Sequence, residues 1–357
     1  TLSMSGINSA KVNPGGGGPL FKKKIAKMSP PLTAFDPGYL QRKAAVPEQL
    51  FTLKNGKQLS YFTEGSVEDK AVVCLPSAGL GKCCFIPREP IPGVFLIAID
   101  PMGHGNSSPI EKPTDFEESV IEVRELLDGL KVDKFYVLGW SCGGVHAMQI
   151  SAALPGRVLG CAAISSPCDL HHPSLSKKEA KKLDEKGALI LNQSGCLGGL
   201  VRWMMKGIYY YPDKTKDFGF AGHSRGGGYQ FYVGKETGGA PPEIEKDHFF
   251  VTKLLDSELN GTNSRIGLLL EMQGLFSPWP HDVAKIQCPC FLYIEQKGEV
   301  PLCHAERNQS LIPGSEMIVM KSHGHCSIMM EFEKIVAGLL EGKSIQCSFE
   351  KNMLFDK

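Results

Sequence analysis

The chain has 357 residues, 42% hydrophobic and 22% charged, with a formal net charge of +1. That is ordinary globular composition, and the near-neutral balance argues against a nucleic-acid partner. Its 12 cysteines include Cys83-Cys84 and Cys288-Pro289-Cys290 but no Cys-x-x-Cys pair, so they read as reduced thiols of a cytoplasmic protein rather than a disulfide framework.

Taken in chain order, residues 1–45 read as a disordered basic tail. They carry Gly15 to Gly18, then Lys22, Lys23, Lys24 and Lys27, and the first acid is Asp36. The same stretch would suit organelle targeting or contact with an anionic membrane. No apolar run is long enough to span a bilayer. Order is expected from near Val46. Two short β-type runs flank Asn55-Gly56, a strong hairpin signal. Apolar runs then follow at 71–75, 94–99, 134–138, 158–164 and 290–294. Near-continuous apolar strands imply a parallel sheet covered on both faces. Helical periodicity falls between them, over Phe116 to Leu130 and Val145 to Leu154. The fold class is therefore α/β, a doubly wound and mostly parallel sheet. The alternation breaks between about Pro167 and Phe276, a stretch that reads as an inserted, mainly helical cap. This divides the chain into a core of 46–167 and 277–342, a cap of 168–276 and a C-terminal tail of 343–357.

The central signal is Gly139-Trp140-Ser141-Cys142-Gly143-Gly144, which leaves an apolar strand and opens a helix. A serine on so sharp a turn needs small neighbours, or the backbone clashes. The turn also aims the Cys142 amide at a developing oxyanion, at a helix N-terminus. A second match, Gly222-His223-Ser224-Arg225-Gly226, lies between segments that read poorly as strand and helix, and it is set aside as a cap loop.

Together with Asp100-Pro101-Met102-Gly103-His104-Gly105-Asn106-Ser107, the elbow resembles the capped branch of the α/β-hydrolase superfamily. That branch includes epoxide hydrolases, esterases, monoacylglycerol lipases and proline iminopeptidases. The resemblance covers about Leu50 to Leu340. It implies Ser141 as nucleophile and His325, in Ser322-His323-Gly324-His325, as general base. The acid falls by match on Glu299, in Gly298-Glu299-Val300-Pro301, with Glu295 and Asp169 as the second and third choices. Ala78 would give the second oxyanion amide, although Pro76-Ser77 stands where relatives carry His-Gly. Trp140, Ser77, Trp203, Met204 and Tyr209 are the expected substrate contacts.

The function that follows is a serine hydrolase. It would cleave a small-molecule or acyl-lipid ester, with thioesters and amides open, through an acyl-enzyme and with no cofactor or metal. The competing class is a binding protein on the same fold with a vestigial site. The oligomeric state is left open.

Overall fold

The computed structural model describes residues 36–184, 247–259, 267–296, 298–321 and 323–345, with Gly199, Gly261 and Asn263. The apolar runs become strands of one eight-stranded sheet. β1 (Gln49–Thr52) and β2 (Gln58–Glu64) form the expected hairpin, with Gly56 at φ +82° in its turn. β3 (Lys70–Leu75), β4 (Val94–Asp100), β5 (Phe135–Trp140), β6 (Val158–Ile164), β7 (Cys290–Glu295) and β8 (Glu316–Met320) follow. The spatial order is β1-β2-β4-β3-β5-β6-β7-β8. The first two pairings are antiparallel and the rest parallel. β5, which leads to Ser141, sits well inside the sheet.

Side chains alternate across the sheet, and both faces are apolar. Val72, Cys74, Leu138, Trp140 and Tyr293 pack to one side; Val73, Leu75, Val137, Cys161 and Leu292 pack to the other. Burying each such side chain contributes about 1.5–3 kcal/mol. Helices α2 (Phe116–Gly129) and α3 (Cys142–Ala153) cover the second face. The Asp115 carboxylate caps α2 by accepting from the Glu117 amide, and Glu117 and Glu118 complement the dipole in its first turn. Eleven of the twelve residues of α3 are buried, so it shows no amphipathic stripe. Helix α8 (Phe332–Glu341) packs on the first face and stops at Gly342, in the left-handed region at φ +66°.

Three boundaries differ from expectation. Within the segment read as a tail, Asp36 caps helix α1 (Pro37–Ala45), and the fully buried Tyr39 donates its hydroxyl to Asp256 at 2.5 Å. So short a helix is marginal alone, and this one is held by its tertiary partner. At the other end the segment read as a tail is still bonded at Ile345, whose amide donates to the Tyr293 hydroxyl at 3.2 Å. Between them, the described part of the expected cap has a loop over 168–176 and the helices α4 (Lys177–Leu183), α5 (His248–Leu259) and α6 (Gly267–Leu275). The last two pack into the core rather than standing over it. α5 lies on the 3₁₀ turn Lys82–Phe85, and Leu268 to Leu270 are buried. Helix α7 (Leu302–Leu311) completes the element list. No helix among the described residues is long and apolar enough to cross a membrane.

A buried acid gives the fold a pH dependence. Glu122 on α2 and His146 on α3 line one small cavity with Leu59, Leu75, Ile99 and Val123. Burial pushes the Glu122 carboxyl up to about 8 and the His146 imidazole down to about 4. Unfolding returns Glu122 to an ordinary carboxylate value near ~4.3. The unfolded chain then binds fewer protons between these limits, so the contribution of Glu122 is full at low pH and is lost as the pH climbs toward 8. Glu122→Gln should raise the melting temperature at pH 8 and change it little near pH 4. An equal gain at both pH values would show that ionisation is not the cause.

Candidate active site

The elbow has the geometry its sequence requires. Ser141 stands at φ +56°, ψ −115°, between the end of β5 and the start of α3. A non-glycine residue so placed costs on the order of 1–3 kcal/mol and persists only where its surroundings enforce it. Here the enforcement is close approach. A Cβ on Gly139 would lie 1.9 Å from the Gly143 carbonyl oxygen, and one on Gly143 would lie 2.0 Å from the Leu75 carbonyl oxygen. Neither backbone can yield. Gly143→Ala is therefore expected to cost about 3 kcal/mol or more, seen as a lower melting temperature. A variant that melts with the wild type would refute the close packing of elbow on β3.

His325 follows β8 and is 3% exposed. It is tied to the elbow through Trp140. The indole Nε1–H donates to the His325 carbonyl at 3.0 Å, and the two rings lie 5.6 Å apart. Trp140, expected from sequence as a substrate contact, is fully buried with its indole against the histidine. The imidazole Nδ1 meets Glu295 Oε1 at 3.1 Å.

Glu295, not Glu299, is thus the acid placed against His325. It is the last residue of β7 and is wholly buried. Its second oxygen accepts from the Ser165 hydroxyl, and Ser165 itself bends off β6 at φ +50°. Burial alone would raise the Glu295 carboxyl, but the His325 hydrogen bond and charge, with Ser165, outweigh it and hold the group below the usual carboxylate range. Gly298 is the reason a long side chain fits. A Cβ there would lie 2.0 Å from Glu295 Oε1. Glu299 lies half-buried further along the loop. Asp169 is occupied elsewhere, accepting from the His171 amide at 2.8 Å. Ser165 and Gly298 went unnoticed in the sequence. The signal for Gly298 was a glycine three positions after the acid, in a loop with no other need for one.

The unusual Pro76-Ser77 segment forms a tight turn. The Leu80 amide donates to the Ser77 carbonyl at 3.0 Å, with Gly79 at φ +73° in the position of such turns that favours glycine. Ser77 is buried, and Ala78 sits at the apex, half-exposed. The turn is held from outside. The Gly79 amide donates to Glu271 Oε2 at 2.9 Å, the Gly81 amide to the Ser257 carbonyl at 2.8 Å and the Lys82 amide to Asp100 Oδ1 at 2.6 Å. Lys82 is buried with Asp100, Glu48 and Ser60 around its ammonium. Burial opposes its charge, but Asp100 and Glu48 outweigh that and hold the ammonium above its usual range. Among the described residues no hydrogen bond engages the amides of Ala78 or Cys142. Trp203, Met204 and Tyr209, like Ser224, lie outside the described residues. No cluster of three or more His, Cys, Asp or Glu among the described residues is arranged to hold a metal ion.

Sheet order, elbow, and the histidine behind the last strand together define an α/β-hydrolase fold. Comparison with known proteins agrees. Residues 78–186 match the family model described as alpha/beta hydrolase fold. The human serine hydrolase BPHL is 34% identical over 135 residues, which cover 36% of this chain and 43% of that protein. A hydrolase from Pseudomonas aeruginosa PA01 superposes with a TM-score of 0.54 at 19% identity, over 82% of this chain and 98% of its own. The enol-lactonase from Burkholderia xenovorans LB400 does so with a TM-score of 0.55 at 15% identity, over 82% and 100%. These likenesses show the α/β-hydrolase fold, with the family match confined to residues 78–186. The chain spans less than half the length of the curated relatives it matches.

Proposed function

We propose that the chain is a serine hydrolase that cleaves carboxylic esters through an acyl-enzyme. One observation supports this most. His325 is held on one side by a buried carboxylate and on the other by the residue next to Ser141. With Nδ1 bonded to Glu295, Nε2 is the nitrogen that takes the proton from Ser141 as its oxygen attacks the ester carbonyl. The amides of Cys142 and Ala78 hold the oxyanion. Collapse of the tetrahedral adduct breaks the bond to the alcohol, which leaves with the proton from His325. Water then attacks the acyl-Ser141 while His325 takes its proton, and a second collapse releases the acid and restores the serine. Simple esters are the first substrates to test; thioesters and amides fall within the same chemistry.

The test is treatment of the folded protein with a fluorophosphonate, with an ester panel of increasing acyl length run in parallel. The expected result is one adduct, mapped by peptide mass to Ser141, and turnover of at least one ester. Folded protein that neither labels nor turns over any ester is a binding protein with a vestigial site.

A further inference from the structure

Glu271 lies in the segment expected to be a cap, within the apolar run Leu268-Leu269-Leu270-Glu271-Met272 of α6. It is 2% exposed, yet four parts of the site converge on its carboxylate. The Gly79 amide of the oxyanion turn donates to Oε2 at 2.9 Å. His104 Nε2, from the Gly-x-Gly loop after β4, meets the same oxygen at 3.1 Å. The Cys142 thiol, beside the nucleophile, and His146 of α3 both lie within the field of the group. Burial alone would raise the Glu271 carboxyl; the His104 charge and hydrogen bond and the Gly79 amide outweigh it and hold it below the usual range. The same pairing lifts His104 above its ordinary value against the effect of burial. The pair is buried behind the elbow.

The turn Ser77–Leu80 has two amides that could face a substrate oxygen, those of Ala78 and Gly79. Glu271 consumes the second. We infer that Glu271 is a positioning residue for the oxyanion hole: by fixing the Gly79 amide it orients the peptide plane before it, so that Ala78 and not Gly79 serves the transition state. This rests on the serine-hydrolase reading above. Pro76-Ser77 leaves the turn without the His-Gly of relatives, and Glu271 supplies the restraint from another element.

The experiment compares Glu271→Ala and Glu271→Gln with the wild type. It measures kcat, KM, melting temperature and inhibition by a trifluoromethyl ketone, whose hemiketal oxyanion occupies the hole. Glu271→Ala should lower kcat about 10²-fold, the typical cost of one oxyanion donor, with KM nearly unchanged and inhibitor affinity falling by a similar factor. Glu271→Gln keeps an oxygen for the Gly79 amide but loses the charge, and should recover kcat to within about tenfold of wild type. Should Glu271→Ala not fold, Glu271→Gln carries the test alone, through a parallel few-fold loss in kcat and inhibitor affinity. Unchanged kcat in a folded variant, or lost kcat without loss of inhibitor affinity, overturns the inference while leaving the hydrolase reading intact. A wild-type protein that turns over no ester overturns both.

Discussion

Ser141→Ala should lower ester turnover by about 10⁶-fold in kcat, the scale set by removing the nucleophile from a working triad. The fold should survive. Alanine has the same Cβ as serine, so it meets the same backbone demand at φ +56°, and Gly139 and Gly143 still leave the turn its room. The serine hydroxyl does not cap α3 either; that helix starts without a side-chain cap bond at Ser141. A melting temperature close to wild type, with turnover and fluorophosphonate labelling both gone, is the expected outcome. Residual hydrolysis by the oxyanion hole alone would remain about 10³-fold above water. A variant that keeps more than a few per cent of wild-type turnover would remove Ser141 from the mechanism.

Glu295→Gln should lower kcat by about 10⁴-fold at neutral pH, as when the carboxylate of a serine protease triad becomes an amide. The change preserves volume, and Gly298 accommodates either side chain. What it alters is the proton on His325. A carboxylate accepts from Nδ1–H and leaves Nε2 basic; an amide can turn its NH₂ toward Nδ1 and favour the tautomer with the proton on Nε2. The positive charge that develops on the ring also loses its counter-ion at 3.1 Å. Glu299→Gln is the control and should stay within about threefold of wild type, since the reacting groups are untouched. The reverse pattern, with Glu299 essential and Glu295 dispensable, would return the acid to the position that the Val-Pro spacing suggested.

Those two glutamates show where a single sequence runs short. The sheet was legible because burial on both faces writes itself as uninterrupted apolar runs, such as 94–99 and 158–164. The elbow was legible because close backbone approach admits only glycine at 139 and 143. The acid was not, because its placement depends on where β7 ends and on Gly298 vacating a side-chain volume, and neither leaves a local pattern. α1 was missed for a related reason: its stability comes from Tyr39 on Asp256, more than two hundred residues away. Glu271 was hidden by the boundary drawn at 276, although a lone acid inside Leu268-Leu269-Leu270-Glu271-Met272 is a sign of a buried ionic partner.

The struts from α5 and α6 bear on how this scaffold could be re-engineered for other substrates. Grafting a lid from another hydrolase would usually put the seam at the edge of the β-core, here near residue 276. That cut would discard Ser257 and Glu271, and with them two of the tethers on the turn around Ala78. An exchange within the segment expected to be a cap should therefore end before His248, so that α5 and α6 stay with the turn they hold.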